Sequence, residues 1–212
     1  MTNSYAEYEY RSSAETYNDT YLWQAVSKLL PPAPQRLFEL GCGNGVLANR
    51  LANLGYVVTA VDPSRSGIIQ GKTAYPKLNL YEASAYDDLA GQFGEFPIVI
   101  SLEVIEHCYD PRRYVRTFFD LLEPGGIGII STPYHGYLKN LALAITGKFD
   151  QHFAVLWDGG HIKFFSINTL THLLRETGFD TPTFYRVGRI PPLAKSMIAT
   201  FKKPLTTKAG RA

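Results

Sequence analysis

The chain has 212 residues, of which 45% are hydrophobic and 19% charged, with a formal net charge of +2. That is enough for one α/β domain with a full core and too little for two. Two cysteines, Cys42 and Cys108, cannot build a disulfide framework. No apolar run approaches the ~20 residues that span a bilayer, and the tyrosine-rich N-terminus lacks the apolar core of an export signal. A cytoplasmic location is therefore expected.

The first periodic segment is Tyr17, Tyr21, Leu22, Ala25, Val26, Leu29 and Leu30, an amphipathic helix stopped by Pro31-Pro32. The apolar run Arg36 to Leu40 reads as a buried strand and Val46 to Leu54 as the helix after it. Val57 to Val61 is the second strand, Ser64 to Lys72 a helix, Leu78 to Tyr81 a short third strand and Phe96 to Leu102 a strong fourth. Asp110-Pro111 supplies an N-cap and a first-turn proline for a helix whose buried face is Tyr114, Val115, Phe118, Leu121 and Leu122. Glu123 to Gly126 ends it, and Ile127 to Ser131 is the fifth strand. Leu138 to Ile145 is apolar enough for a short helix, and Ile167, Leu170, Leu173 and Leu174 mark a longer one closed by Gly178. Thr183 to Val187 and Met197 to Lys202 complete seven strands. Strand-helix alternation predicts a mostly parallel, doubly wound sheet.

Glu39-Leu40-Gly41-Cys42-Gly43-Asn44-Gly45 lies between the first strand and its helix, where open α/β sheets bind ligands. A dinucleotide fingerprint needs a third glycine where Val46 stands, which disfavours NAD. Asp62 ends the second strand 21 residues after Gly41, in place to accept hydrogen bonds from both hydroxyls of a ribose. Loop and acid together point to an adenosine-type ligand.

Residues 36 to 62 resemble the class I S-adenosylmethionine-dependent methyltransferases, whose first motif is an acidic residue, a hydrophobic residue and Gly-x-Gly-x-Gly. The resemblance implies a Rossmann-like seven-stranded sheet whose last strand runs antiparallel beside the sixth. It implies S-adenosyl-L-methionine as cofactor, with contacts from Glu39, Gly41, Gly43, Gly45, Asp62, Ser84, Ala85 and Leu102. Many relatives carry an aspartate after the third strand where this chain has Ser84, so Asp87 rivals it for the adenine. Residues 1–32 are then a helical lid, 33–203 the catalytic domain, 133–164 an insertion at the substrate rim and 204–212 a basic tail.

Ser101-Leu102-Glu103-Val104-Ile105-Glu106-His107 stands where the fourth strand leaves the sheet. If Glu103 opens a helical turn, Glu106 and His107 follow at i+3 and i+4, and all three share a face. Two carboxylates and an imidazole that close can recruit a divalent ion, and the mixed donor set suits Mg, Mn, Fe or Zn. The competing arrangement has Glu103 on the cofactor side, Glu106 in solvent and His107 alone functional. Glu-x-x-Glu-His followed by Asp-Pro is similar to the ubiquinone-biosynthesis O-methyltransferases, where these groups are associated with a divalent metal. Small-RNA 2′-O-methyltransferases share the motif and add a remote histidine, for which His161 is the candidate; a substrate-binding or capping role is open to it as well.

The excursion from Thr132 to Phe164 exceeds a plain loop and carries Tyr134, His135, Tyr137, Phe149, His152, Phe153, Trp157 and His161, an aromatic acceptor pocket. The expected reaction is O-methylation of a small phenolic, quinone-like or otherwise hydroxylated molecule, with His107 as general base. Leu138 to Ile145 and the acid-free segment after Asp180 also allow a peripheral membrane contact. A metal-dependent RNA 2′-O-methyltransferase lacks support from any added RNA-binding module, and a nucleotide-dependent oxidoreductase lacks the third glycine. Neither acceptor identity nor oligomeric state is legible.

Overall fold

The computed structural model describes residues 17–153, 156–157 and 159–205. Its first helix, α1 (Tyr17–Val26), is shorter than the periodicity suggests, because the chain tightens into turns before Pro31. β1 (Arg36–Leu40) and β2 (Val57–Asp62) flank α2 (Val46–Asn53), and α3 (Arg65–Ala74) leads to β3 (Asn79–Glu82). A five-residue helix, α4 (Leu89–Phe93), precedes β4 (Phe96–Leu102), and α5 (Pro111–Leu121) runs directly into β5 (Leu122–Pro133). The excursion folds as α6 (Tyr137–Ile145) and α7 (Phe149–Phe153). After it come α8 (Ile167–Thr177), β6 (Thr183–Val187) and β7 (Ser196–Lys202).

The seven strands form one sheet in the order β3-β2-β1-β4-β5-β7-β6. All pairings are parallel except those of β7, which is antiparallel to both β5 and β6, so the expected sheet and its reversed last strand are both present. Side chains alternate across each strand, so neighbours on β1 serve opposite layers. Leu37 packs with Leu22, Val26, Ala48, Leu51 and Ile98, beneath α1, α2 and α3. Phe38 packs with Val99, Tyr114, Phe118, Leu170 and Phe201, beneath α5 and α8.

Local chemistry explains the boundaries. Asp110 accepts a hydrogen bond from the Arg113 amide at 3.0 Å ahead of Pro111, and Ser166 and Thr169 form a reciprocal cap on α8, which Gly178 closes at φ +112°. α4 escaped the sequence reading because five residues carry no period; its start is the Asp88 cap on the Gly91 amide. Pro124 to Gly126 is not a turn but part of β5. The Gly125 amide donates to the Lys203 carbonyl at 2.8 Å, and the extra residues are absorbed as a register shift against β4 between Phe96 and Ile98.

The carboxyl ends of β1, β2, β4 and β5 meet at one rim. Because β7 is reversed, its first residue, Ser196, pairs with Pro133 and joins them there.

Candidate active site

Gly41, Gly43 and Gly45 have φ of +84°, +54° and +80°, so the loop between β1 and α2 is built from left-handed turns that only glycine adopts freely. At Gly41 the reason is also steric: a Cβ there would lie 2.4 Å from Cγ2 of Val104, on the segment that follows β4. The Gly41 and Cys42 amides donate to the Val61 carbonyl at 2.8 and 2.9 Å. Asp62 binds the loop from the other side, Oδ2 accepting from the Gly43 amide and Oδ1 from the Ser64 amide, both at 2.8 Å. Burial raises its carboxyl above the usual range, and those two amides oppose the rise. Asp62 thus shapes the glycine loop itself, a task its sequence position did not disclose, and each oxygen keeps one lone pair for a ligand.

Glu39 is buried on β1 beside the thiol of Cys42, which burial, then Glu39 and Asp62, push well up. Both cysteines are free and buried. Ser84 and Ala85 lie on the turn after β3. The Ser84 amide donates to Asp87 at 2.7 Å, and its hydroxyl accepts from the Tyr86 amide at 3.1 Å. The two rivals for the adenine therefore belong to one turn. Leu102 closes β4 and is half-buried.

Past Leu102 the expected helical face does not form. Glu103 has φ +55°, and the chain enters a 3-10 helix only at Ile105–His107, so Glu103 does not share one helical face with Glu106 and His107. The cluster that does assemble is Glu106, His107 and His161, each offering a ligand atom within 4.8 Å of the others. Of the four residues expected to face a metal, Glu106, His107 and His161 come together and Glu103 is not in that group. Nor does Glu106 face solvent: its carboxylate is fully buried, and among the described residues neither oxygen has a hydrogen-bond partner.

The return limb of the excursion is clamped over this cluster. The Ile162 and Lys163 amides both donate to the Glu106 carbonyl, at 2.9 and 3.0 Å, which carries His161 Nε2 to 3.9 Å from Glu106 Oε1. His107 Nδ1 lies 2.9 Å from the Gly159 carbonyl and 3.2 Å from that of Gly160. A carbonyl only accepts, so Nδ1 carries a proton, and in the neutral ring Nε2 keeps the lone pair. The rings of His107 and His161 stand 4.9 Å apart, with Trp157 edge-on to His107 at 5.9 Å. Burial, then the adjacent Glu103, push the Glu106 carboxyl well above its ordinary value. Burial followed by the charge of His107 lowers His161 to about 4, so its imidazole is neutral near pH 7.

Four groups at this rim were not singled out from the sequence. Ser131 and Ser196 hydrogen-bond Glu103, Tyr21 reaches Ser196, and Lys139 is the buried residue of α6. Lys139 Nζ donates to the Tyr134 carbonyl at 2.8 Å; burial and then Arg189 bring the ammonium down to about 8. Around it, His135 stacks on Phe153 at 5.9 Å and meets Phe164 edge-on at 5.1 Å. The predicted lid is described only from residue 17, where α1 sets Leu22 and Val26 into the core; residues 1–16 and the tail from 206 lie outside the described residues.

Comparison with known proteins agrees with this architecture. A sequence model of the methyltransferase domain matches residues 10–182. A ubiquinone biosynthesis O-methyltransferase of Caulobacter sp. (strain K31) is 41% identical over 116 residues, covering 53% of this chain and 46% of that protein. One from Cereibacter sphaeroides (strain ATCC 17025 / ATH 2.4.3) is 32% identical over 162 residues, covering 73% and 64%. The chain thus spans about half to two thirds of the length of these curated relatives. Among solved structures, an S-adenosylmethionine-dependent methyltransferase from Mesorhizobium loti superposes with a TM-score of 0.67 at 18% identity, covering 85% of this chain and 97% of that one. A possible histamine N-methyltransferase from Thermotoga maritima does so with 0.67 at 19%, covering 88% and 89%. With its glycine loop, strand-end acid and reversed seventh strand, the chain belongs to the methyltransferase-domain family.

Proposed function

We propose that the protein transfers the methyl group of S-adenosyl-L-methionine to a hydroxyl of a small phenolic, quinone-like or otherwise hydroxylated acceptor. The observation that carries this reading is the adjacency of two assemblies at one rim: the glycine loop with Asp62, and the Glu106, His107, His161 cluster a few residues beyond β4. Glu39 would face the aminoacyl end of the cofactor, the glycine loop would follow its backbone, Asp62 would hold the ribose, and Leu102 and the Ser84-Ala85 turn would serve the adenine. Methyl transfer is an in-line displacement, so alignment supplies most of the rate.

The cluster fits a divalent cation. A fully buried carboxylate with no hydrogen-bond partner among the described residues, beside two imidazoles, is costly when empty and well matched to a metal with mixed oxygen and nitrogen preference. Glu106, His107 Nε2 and His161 would hold it, and a bound cation lowers the pKa of an acceptor hydroxyl. Since His107 has one lone pair, serving as ligand removes it from proton transfer.

The acceptor side favours an aromatic or lipophilic molecule. Trp157 stands half-open beside the cluster and Phe164 beside His135 and Phe153, and α6 exposes Tyr137, Leu138, Leu141 and Ile145. Among the described residues no helix is long and apolar enough to cross a membrane, so any contact of α6 with a bilayer is peripheral.

Calorimetric titration of metal-stripped protein with S-adenosylhomocysteine, repeated with Mg, Mn and Zn, tests the proposal. Nucleoside binding that NADH fails to displace supports it; absence of nucleoside binding overturns it. Tight, salt-sensitive binding of RNA would favour the nucleic-acid alternative.

A further inference from the structure

The polarity of α6 is inverted. Its exposed side carries Tyr137, Leu138, Leu141 and Ile145, whereas the residue it buries is a lysine, Lys139, only 8% exposed. A lysine so placed is normally paired with an acid. Among the described residues no carboxylate lies within ion-pair distance of it. Its ammonium is held instead by two main-chain oxygens, the Tyr134 carbonyl at 2.8 Å and the Lys195 carbonyl at 3.4 Å. Those carbonyls take two of its three N–H donors, and neither supplies the negative charge that a buried ammonium needs.

The surroundings deepen that deficit. Arg189, on the connection between β6 and β7, bears electrostatically on Lys139 and on His152 of α7. Glu103 opposes it through space, but the Glu103 oxygens take their hydrogen bonds from Ser131 and Ser196, not from the ammonium. Burial and Arg189 bring Lys139 down only to about 8, so it is still a cation near neutrality. Its field reaches both parts of the rim. One is the cluster, at His161; the other is a wall of rings in which His135 stacks on Phe153 at 5.9 Å, Phe164 meets Phe153 edge-on at 5.0 Å and His152 meets His135 at 5.7 Å.

We infer, on the methyltransferase reading given above, that Lys139 with Arg189 behind it anchors a carboxylate of the acceptor, so that the preferred substrate is a hydroxylated aromatic acid. The carboxylate takes the free N–H of Lys139, the ring lies against the wall of His135, Phe153 and Phe164, and the hydroxyl turns to the Glu106, His107 and His161 cluster. One N–H and one guanidinium suit a singly charged group. A divalent cation at the cluster offsets the charge of Glu106 and leaves the pocket positive overall, which favours an anionic acceptor over a neutral one. The bond from Lys139 is charge-assisted and sheltered from water, and such bonds are about twice as strong as neutral ones.

The test separates an acceptor anchor from a lysine that only ties α6 to the base of the excursion. The full chain with Mg, with and without S-adenosylhomocysteine, is titrated near neutral pH with 3,4-dihydroxybenzoate and with its neutral isostere 3,4-dihydroxybenzamide. Wild type is expected to bind the benzoate at least tenfold more tightly, and added salt weakens the benzoate alone. In K139M the two ligands bind within threefold of each other while S-adenosylhomocysteine affinity stays within twofold of wild type, and K139R keeps part of the preference. In turnover K139M raises KM for the benzoate more than it lowers kcat. A K139M variant that weakens both ligands alike makes the lysine structural and overturns the inference. So does a wild-type chain that binds the two equally, prefers the benzamide or binds neither. Where K139M does not fold, the exposed R189Q decides: a preference reduced at least threefold supports the anchor, and an unchanged one overturns it. S-adenosylhomocysteine binding is read separately, so its absence marks failure of the methyltransferase reading, whereas its presence without benzoate preference marks failure of the anchor alone.

Discussion

Replacing Glu106 by glutamine stabilises the cation-free protein, and the gain grows with pH. In the folded chain this carboxylate is fully buried with no hydrogen-bond partner among the described residues, and burial with the nearby Glu103 raises its pKa well above the ordinary 4.5. The unfolded chain releases its proton near that ordinary value, so at higher pH the folded state binds the extra proton. The slope of stability against pH is then negative. Wild-type stability is fully present below pH 4.5 and is lost as pH rises toward the folded value, whereas the amide does not titrate. An unpaired buried polar group costs about 1–3 kcal/mol, more if charged. At about 2 kcal/mol, and about 2–4 °C per kcal/mol for a domain of this size, E106Q melts about 4–8 °C above wild type near pH 8. Scanning calorimetry in EDTA from pH 5 to 9 reads the difference curve. Adding Zn at a hundredfold excess over its Kd inverts the order, since wild type gains about 2.7 kcal/mol and the variant does not. If E106Q melts below wild type at every pH in EDTA, the carboxylate supports the apoprotein fold and the case for a cation at this cluster fails.

Gly41→Ala combines a φ of +84° with a Cβ 2.4 Å from Val104; a loss of about 2–4 kcal/mol in urea denaturation is expected, together with weakened S-adenosylhomocysteine binding. His135 is lowered to about 4 by burial first and then by the charges of Lys139 and His152. Its contribution is present above pH 6.5 and is lost as pH falls toward 4, so H135Q flattens acid denaturation in that window by up to about 3 kcal/mol. Co-sedimentation with vesicles containing phosphatidylglycerol checks the exposed face of α6: Leu141→Glu with Ile145→Glu lowers binding at least fivefold without changing nucleoside affinity, and equal binding by both proteins removes α6 from that role.

Legibility of the sequence followed the range of the forces involved. Elements set by local pattern and capping were readable: β1, α2 and β2 from the apolar run, the glycines and Asp62, and α8 from Ser166 and Gly178. The short helices α4 and α7 span five residues each and carry too little period to read. At the site, Glu106, His107 and His161 were visible as residue types, but Glu103 was misplaced because a single left-handed residue breaks helical spacing. The partners of Glu103 were invisible for another reason. Ser196 lies 93 residues away and reaches the rim only because β7 is reversed, while Ser131 reads as an ordinary strand end. The Gly159 and Gly160 carbonyls that set the His107 tautomer leave no side-chain signature.

The excursion between β5 and α8 is tied at its base by two backbone bonds, the Tyr134 amide to the Lys195 carbonyl and the His135 amide to the Phe165 carbonyl. On the reading proposed above, the segment between these ties is a cassette that carries acceptor preference along α6 and α7, apart from the sheet and the glycine loop. His161 travels on the cassette, however, fastened by Ile162 and Lys163 to the Glu106 carbonyl. Any graft that changes the acceptor must therefore bring its own histidine back to the same carbonyl, which makes the rim a swappable part with one keyed connector.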